Sequence, residues 1–137
     1  FSNYTSSKAQ AIEFNSLVSL LFFSVELERQ IRISGRIAKV PYEQSNDYFK
    51  SRPKGSQVAA LASHQSEIVA SRDVLEDEFS RLMDVYKEKT PECPDYWGGY
   101  VVKPDYYEFW QGRSCRLHDR LCYSLDDSGW NVIRKAP

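Results

Sequence analysis

The sequence predicts an α+β fold in which an antiparallel sheet or barrel is flanked by helices. Strand-like segments, rich in β-branched and aromatic residues, lie at both ends of the chain, and helical patterns fill the middle. An Asp-Asp-Ser-Gly turn at residues 126–129 joins the last two strand-like segments, as expected for a hairpin of antiparallel strands. The length of 137 residues suits one domain with one core.

The N-terminal part of the chain predicts a pair of strands. Residues 17–25 are almost continuously apolar, which favours a buried strand. In residues 30–40, isoleucines alternate with arginines around Gly35, which is the pattern of a strand with two unlike faces. Together, the two segments predict an antiparallel pair.

Three helices are predicted in the middle of the chain. The first covers residues 42–52 and is expected to end at Pro53. The second covers residues 56–64, with Ser56 as a plausible N-cap and a helix start that suits an anion. The third begins after Ser71, and its apolar stripe indicates core packing. That stripe consists of Leu75, Phe79, Leu82 and Tyr86.

The C-terminal part predicts a second block of strands, separated from the helices by a proline-containing segment at residues 90–95. The predicted strands cover residues 98–103, 106–111, 116–125 and 130–134. We find no internal repeat, low-complexity tract or linker.

Charge and composition exclude several classes of partner. The formal net charge of −1 gives no general attraction to nucleic acid or to an anionic membrane, so any anion must be bound by locally placed arginines. The longest apolar run is shorter than the roughly 20 residues of a membrane-spanning helix. Three cysteines without metal-ligand spacing argue against a disulfide framework or a metal site and favour a cytoplasmic location. The first residue is Phe1, so we expect any targeting segment to lie upstream of this chain.

One segment near the C-terminus concentrates charge where a strand is expected to be mostly apolar. If it is extended, Arg116, His118 and Arg120 project from one face. Three potential cations on one face repel each other unless an anion or an electron-rich ring lies between them. The spacing alone is more often that of a solvated strand face with a salt bridge to Asp119 or Glu108, so it leaves the function open.

Longer motifs resemble those of one known family. They are Tyr48-Phe49-Lys50-Ser51-Arg52-Pro53, Trp97-Gly98-Gly99-Tyr100, Glu108-Phe109-Trp110-Gln111-Gly112, Arg116-Leu117-His118-Asp119-Arg120 and Arg134-Lys135-Ala136-Pro137. In this order they resemble the YFxSRP, WGGY, EFWQG, RLHDR and RLAP motifs of the pyridoxamine 5′-phosphate oxidase family. The resemblance covers nearly the whole chain, and so long a match by chance is very improbable.

The resemblance implies a split β-barrel, a homodimer and two FMN molecules at the subunit interface. It implies the oxidation of pyridoxamine or pyridoxine 5′-phosphate to pyridoxal 5′-phosphate, with FMN as hydride acceptor, O2 as electron acceptor and H2O2 as by-product. Within one domain, residues 1–40 are expected to form barrel strands, residues 41–90 the helical section and residues 96–137 the dimerisation region.

The resemblance also assigns the substrate site. Tyr48, Arg52 and Ser56 match the positions that hold the substrate phosphate, for which a guanidinium group and a helix start are well suited. The ring contacts of the family match Arg116, Leu117 and His118. Arg116 and His118 are the expected catalytic residues, because they orient the pyridine over the flavin. His118 also suits a proton shuttle, since its ordinary pKa is about 6.5.

A further set matches the FMN contacts of the family, and two of its members depart from the family pattern. Ser2 replaces a threonine, and Ser7 replaces an arginine that helps to bind the FMN phosphate. Such a contact contributes about 1.5 to 3 kcal/mol, so we expect weaker flavin binding unless Lys8 compensates. The complete set is Phe1, Ser2, Ser7, Lys8, Gln30, Gln65, Ser66, Trp110 and Arg120.

The upstream RxVLLK segment of the family has no counterpart in this chain. We therefore expect the barrel to be incomplete at its N-terminus and to have an open edge. An alternative function follows, namely a non-catalytic homologue that binds pyridoxal phosphate or flavin and has lost activity through the truncation and Ser7. A related flavin oxidase with another aromatic substrate is less favoured, because both YFxSRP and RLHDR are present.

Overall fold

The computed structural model describes residues 1–137 and contains helices, strands and one 3₁₀ turn. The helices are α1 (Ser7–Phe14), α2 (Tyr42–Ser51), α3 (Lys54–Ala62) and α4 (Arg72–Val85). The strands are β1 (Ser2–Asn3), β2 (Leu17–Ser24), β3 (Arg29–Lys39), β4 (Trp97–Gly98), β5 (Tyr100–Gln111), β6 (Asp119–Asp126) and β7 (Gly129–Arg134), and the 3₁₀ turn is Ser114–Arg116. The predicted α+β class is confirmed.

The chain forms two compact units. The helical unit consists of Phe1–Phe14 and Lys39–Val101, and the sheet unit consists of Asn15–Ala38 and Val102–Pro137. None of the helices is both long and apolar enough to cross a membrane.

The core of the helical unit surrounds Trp97. Its indole packs edge-on against the buried Phe49, with ring centroids 5.1 Å apart, and Cys93 completes this buried cluster. Trp97 belongs to β4, which pairs antiparallel with β1 through Asn3. These contacts fix the end of α2, where Phe49 lies, against the N-terminal residues of the chain.

The helix starts differ from the expectations in two places. α3 begins at Lys54 after the N-cap residue Pro53, so the prediction of Ser56 as N-cap is wrong, and Ser56 lies within the first turn. The proline ends the preceding segment and starts the next helix at once, because its fixed φ suits a helix start. α1 was not predicted, although the hydroxyl oxygen of Ser6 accepts a hydrogen bond from the N–H of Ala9 at 3.3 Å, as an N-cap does.

The sheet unit contains a five-stranded sheet with the strand order β2-β3-β5-β6-β7. β2 and β3 form the predicted antiparallel pair, with Leu17 opposite Arg36 and Ser24 opposite Arg29. β6 and β7 form the predicted hairpin, whose turn places Gly129 at a φ of +116°. β5 is one continuous strand through Pro104, where two strands were expected.

Two expectations for the strands are wrong. β6 begins only at Asp119, because Cys115 and Arg116 lie in the left-handed region, with φ of 56° and 59°, and turn the chain away from an extended path. Arg116, His118 and Arg120 therefore do not lie on one face of one strand. β2 is not buried in this chain, since it is an edge strand and Leu21 is 63% exposed.

Candidate functional site

A buried carboxylate lies at the centre of one face of the sheet. Glu108 on β5 is only 7% exposed, and both of its oxygens are hydrogen-bonded. Arg120 on β6 donates from Nε to Oε1 at 3.1 Å and from Nη2 to Oε2 at 3.0 Å. Arg32 on β3 donates from Nη2 to Oε2 at 2.8 Å, and the Tyr106 hydroxyl donates to the same oxygen at 3.0 Å. The sheet thus holds one carboxylate between two guanidinium groups.

This network fixes the charge state of its members. The hydrogen bonds from Arg120 hold the pKa of Glu108 below its usual range, although burial acts in the opposite direction. The same pair raises the pKa of Arg120 above its ordinary value. Glu108 is therefore ionised at neutral pH, and the cluster of Glu108, Arg120 and Arg32 carries one surplus positive charge.

Side-chain alternation places three of the predicted cofactor residues on this polar face. Gln30 lies two residues before Arg32 on β3, and Trp110 lies two residues after Glu108 on β5. Arg120 lies directly opposite Trp110 in the antiparallel register of β5 and β6. The face therefore combines an amide, an indole and guanidinium groups, which are the donors and the stacking surface that a flavin with a phosphate requires.

The opposite face of the sheet is aromatic. The rings of Tyr107 and Phe109 on β5 stack with centroids 6.2 Å apart, and Trp130 and Tyr123 pack against this pair. These four side chains line a shallow cavity of about 410 Å³. None of them belongs to the predicted site, so the sheet separates a polar face from an apolar one.

The loop between β5 and β6 positions the imidazole of His118. The Nδ1 atom of His118 accepts a hydrogen bond from the backbone N–H of Arg113 at 3.1 Å. The imidazole ring lies 4.7 Å from the Trp110 ring. Because Nδ1 is an acceptor here, the neutral imidazole carries its proton on Nε2 and can donate it to a ligand.

The other predicted members of this loop point toward solvent. Leu117 is 71% exposed, and Arg116 is also exposed. The guanidinium of Arg116 has no hydrogen bond within the chain. The salt-bridge alternative that the sequence left open is realised by Arg120 with Glu108, while Asp119 pairs with Arg113 and with Arg134.

In the helical unit, Arg52 is a cation without an anionic partner. It follows α2, and its guanidinium carbon lies 5.0 Å from the Trp97 ring centroid and 5.9 Å from that of Phe49. Its Nη1 atom is buried and has no hydrogen-bond partner, and Arg52 takes part in none of the salt bridges of the chain. A buried donor without a partner is costly, so a ligand with an acceptor oxygen would stabilise this arrangement.

Backbone contacts hold Arg52 in place. The side-chain amide of the buried Gln57 donates to the carbonyl of Arg52 at 2.8 Å and to that of Lys50 at 3.2 Å. Ser56 is the third residue of α3, and Tyr48 lies in the last turns of α2 with 45% of its surface exposed. The three predicted phosphate residues thus surround the junction between α2 and α3.

The N-terminal members of the predicted cofactor set are only partly brought together. Phe1 stacks on Tyr48 with ring centroids 3.9 Å apart, which joins a predicted cofactor residue to a predicted substrate residue. The Oε1 atom of Gln65 accepts hydrogen bonds from the Ser2 hydroxyl at 3.0 Å and from the Asn3 amide at 2.9 Å.

The remaining members of that set lie apart from these contacts. Ser66, next to Gln65, has a φ of +76°. Ser7 and Lys8 are exposed at the start of α1. No hydrogen bond within the chain joins them to the other predicted residues.

Sequence reasoning missed the network around Glu108. It treated Glu108 only as a salt-bridge alternative and gave no role to Arg32 or Tyr106. The available signal was a carboxylate in the middle of a strand, because a charged residue is buried in a sheet only when it is paired. The partner could not be predicted, because the order of strands in the sheet was unknown.

Two family models match the chain. Residues 1–86 match the model described as pyridoxamine 5′-phosphate oxidase. Residues 97–137 match the model described as the pyridoxine 5′-phosphate oxidase C-terminal dimerisation region. The matched ranges contain both the Arg52 site and the Glu108 network.

Curated relatives match over the whole chain. The pyridoxine/pyridoxamine 5′-phosphate oxidase 1 of Hydrogenovibrio crunogenus is 50% identical over 140 residues, covering 100% of this chain and 64% of the relative. The pyridoxine/pyridoxamine 5′-phosphate oxidase of Dichelobacter nodosus is 47% identical over 137 residues, covering 100% of this chain and 65% of the relative. The chain thus spans slightly less than two thirds of the length of these relatives.

Solved structures confirm the predicted fold. PhzG from Burkholderia lata 383, in complex with tetrahydrophenazine-1-carboxylic acid, superposes with a TM-score of 0.91 at 27% identity, covering 99% of this chain and 66% of that chain. A pyridoxamine 5′-phosphate oxidase-related, FMN-binding protein from Nostoc punctiforme superposes with a TM-score of 0.67 at 12% identity. The superposition covers 99% of this chain and 71% of that protein. The second likeness concerns the fold alone.

Proposed function

Because the chain belongs to the pyridoxamine 5′-phosphate oxidase family, we propose that the whole protein oxidises pyridoxamine or pyridoxine 5′-phosphate to pyridoxal 5′-phosphate. The proposal includes FMN as cofactor, O2 as electron acceptor and H2O2 as product. It also includes a homodimer, which is consistent with the family model that matches residues 97–137. We propose a cytoplasmic location.

The observation that carries this proposal is the buried, unpartnered Nη1 of Arg52. A phosphate oxygen would supply the acceptor that this N–H lacks, and the planar guanidinium is suited to two oxygens at once. Tyr48 and Ser56 place hydroxyl groups on the two helices that meet at Arg52. Arg52 would offset one of the two negative charges of a bound phosphate dianion without the removal of any existing salt bridge, since Arg52 forms none.

The proposed ring-binding residues are Arg116, Leu117 and His118. The hydrogen bond from the Arg113 amide leaves His118 with a donor at Nε2, which suits an oxygen substituent of the pyridine ring. The contact between His118 and Trp110 restricts the tilt of the imidazole. Orientation of the substrate is the main contribution of such residues, because productive distances between reacting atoms are about 3 to 3.5 Å.

The proposed FMN-binding residues of the sheet unit fit the cofactor chemically. Two of the five N–H groups of Arg120 remain free, because one each on Nε and Nη2 is used by Glu108 and one on Nη1 by the carbonyl of Ala136. Gln30 contributes an amide and Trp110 a flat apolar surface on the same face. FMN, when bound, supplies the hydride acceptor and the reaction with O2.

The proposed FMN-binding residues of the helical unit are Phe1, Ser2, Ser7, Lys8, Gln65 and Ser66. Gln65 is held by Ser2 through its oxygen, which leaves its amide N–H groups for a ligand. Ser7 replaces a cation with a hydroxyl, so this part of the site provides a single positive charge, that of Lys8.

A second candidate is the oxidation of a larger aromatic acid that lacks a phosphate. It is favoured by the TM-score of 0.91 with PhzG, whose structure contains tetrahydrophenazine-1-carboxylic acid. A carboxylate is also an acceptor for Arg52. The two candidates differ in what the enzyme requires of its substrate, because only the first depends on a phosphate group.

The test is a turnover assay of the purified full-length protein with added FMN. We expect the protein to show a flavin absorbance spectrum. With either phosphorylated substrate, we expect it to release one H2O2 for each pyridoxal 5′-phosphate that it forms. Pyridoxamine without the phosphate is the matched control and is expected to react much more slowly.

Each outcome of this assay separates the candidates. Equal rates with and without the phosphate would favour the second candidate. A colourless protein that binds pyridoxal 5′-phosphate without turnover would identify a non-catalytic binding protein. A protein that neither binds flavin nor forms pyridoxal 5′-phosphate would contradict the proposed function.

A further inference from the structure

We propose that Arg32 is a further cofactor-binding cation, which Glu108 holds on the sheet face that carries Gln30, Trp110 and Arg120. The inference rests on the proposed function, because it concerns how the same face binds FMN. Nothing in the family resemblance assigns a role to Arg32.

The guanidinium of Arg32 is anchored at one corner only. Its Nη2 donates to Glu108 at 2.8 Å, which uses one of the five N–H donors of an arginine and leaves four. The side chain is 48% exposed, and its guanidinium carbon lies 5.7 Å from the centroid of the Tyr106 ring. Arg32 is therefore fixed in direction and still accessible to a ligand.

The charges on this face favour an anion. Glu108 supplies one negative charge, whereas Arg32 and Arg120 supply two positive charges within hydrogen-bond distance of it. Lys135 adds a third, with its Nζ atom 3.4 Å from the hydroxyl of Tyr106. Like charges held this close repel each other, and a bound anion would relieve that repulsion.

Neutralisation of Glu108 alone does not require Arg32. Arg120 already binds both carboxylate oxygens through two N–H groups, which is the strongest arrangement for such a pair. The guanidinium of Arg32, the second one on this carboxylate, therefore keeps N–H donors that Glu108 does not use. The face that it shares with Gln30 and Trp110 is the one on which a flavin would use them.

The sequence provides a separate reason for an additional cation. Ser7 stands where the family has an arginine, so Lys8 and Arg120 are the only cations among the residues that the resemblance assigns to FMN. FMN carries a phosphate dianion, and charge-assisted contacts to it are the strong ones. Arg32 would raise the number of available cations from two to three.

The test measures the FMN affinity of the full-length apoprotein by quenching of flavin fluorescence. R32L and R32Q are both expected to weaken FMN binding about tenfold, the effect of one charge-assisted contact. R32K retains the charge and is expected to stay within about threefold of wild type. The matched control is R36L, which removes the same charge from an exposed position of the same strand without touching Glu108.

Urea unfolding of each apoprotein separates a cofactor role from a structural one. R32L variants that are less stable but bind FMN with the wild-type affinity would overturn the inference, as would an R32Q protein with unchanged affinity. In either case wild-type FMN binding and the proposed function would stand. A wild-type protein that binds no FMN would contradict both.

Discussion

Glu108 and Arg120 form a diagonal ion pair across β5 and β6. Cys122 lies opposite Glu108 in the register of β5 and β6, and Trp110 lies opposite Arg120. The Arg120 guanidinium therefore contacts a diagonal neighbour on the same face, where it binds both carboxylate oxygens of Glu108. The pair therefore ties the direction of Arg120 to a buried group. This relationship organises the polar face of the sheet.

The pH dependence of stability should report the ionisation of Glu108. Its pKa is lowered in the folded state, so its contribution to stability is present above the unfolded pKa of about 4.3 and is lost as the pH falls through the folded pKa. E108Q should cost about 2 kcal/mol at pH 7, and this difference from wild type should shrink below about pH 4.

Urea unfolding at a series of pH values measures that difference. E78Q is the matched control, because Glu78 makes the same two-pronged contact with Arg81 on the exposed surface of α4 and should change little. A gap between wild type and E108Q that stays constant down to pH 3 would show that the ionised carboxylate does not stabilise the fold.

Removal of Arg52 should affect the phosphate and spare the fold. R52L is expected to lower kcat/KM for pyridoxamine 5′-phosphate by about tenfold to a hundredfold, and to leave the rate with pyridoxamine unchanged. The apoprotein should unfold at the same urea concentration or a higher one, because the variant removes a buried N–H that has no partner. K50L is the control, since Lys50 is an exposed cation on the same helix. An equal loss with both substrates would exclude a phosphate contact.

The features of the fold that the sequence predicts correctly are those that depend on neighbouring residues in the chain. The pairing of β2 with β3 and the hairpin at Gly129 follow from hydrophobic alternation and turn chemistry. The predicted start of α3 at Ser56 is two residues too late. Pro53 both ends the segment that follows α2 and is the N-cap residue of α3, so that α3 begins at Lys54. The exposure of Leu21 was not predictable, since burial depends on which strand lies at the edge.

In the candidate site, too, some features follow from local sequence motifs and others depend on the folded structure. Motifs indicate Arg52 and His118 as site residues, which stays a prediction, but no pattern indicates the left-handed backbone at Cys115 and Arg116. Strand alternation predicts a single face of three cations, but the turn at Ser114–Arg116 interrupts the strand and that face does not exist. Glu108 was visible as a charge within a strand, yet its partner on β3 depended on strand order.

Close packing at Gly35 should make that glycine irreplaceable. A Cβ atom there would lie 2.2 Å from the carbonyl oxygen of Lys103 and 2.7 Å from the Cα of Pro104, and backbone atoms of a central strand cannot move away. G35A should destabilise the protein by about 1 to 3 kcal/mol in urea unfolding. At Gly55 in α3 the only neighbour is a Phe79 ring carbon at 3.9 Å, so G55A should stabilise by about 0.5 kcal/mol. Equal effects at both sites would contradict the packing.

The thiols should differ sharply in reactivity. Cys93 and Cys122 are 4% and 0% exposed, whereas Cys115 is exposed in the turn before β6. A native-state reaction with a chromogenic disulfide should label one thiol per chain within minutes, and C115S should abolish that fast phase. Denatured protein provides the total count. Fast labelling of a second thiol would show that the core around Trp97 or Glu108 opens readily.

The most direct test of the account is the position of the flavin in a crystal structure of the full-length protein with FMN. The account predicts the flavin on the polar side of the sheet, within contact distance of Gln30, Trp110 and Arg120, with Glu108 still bound to Arg120. A flavin bound against Phe109 and Trp130 on the aromatic side would contradict it.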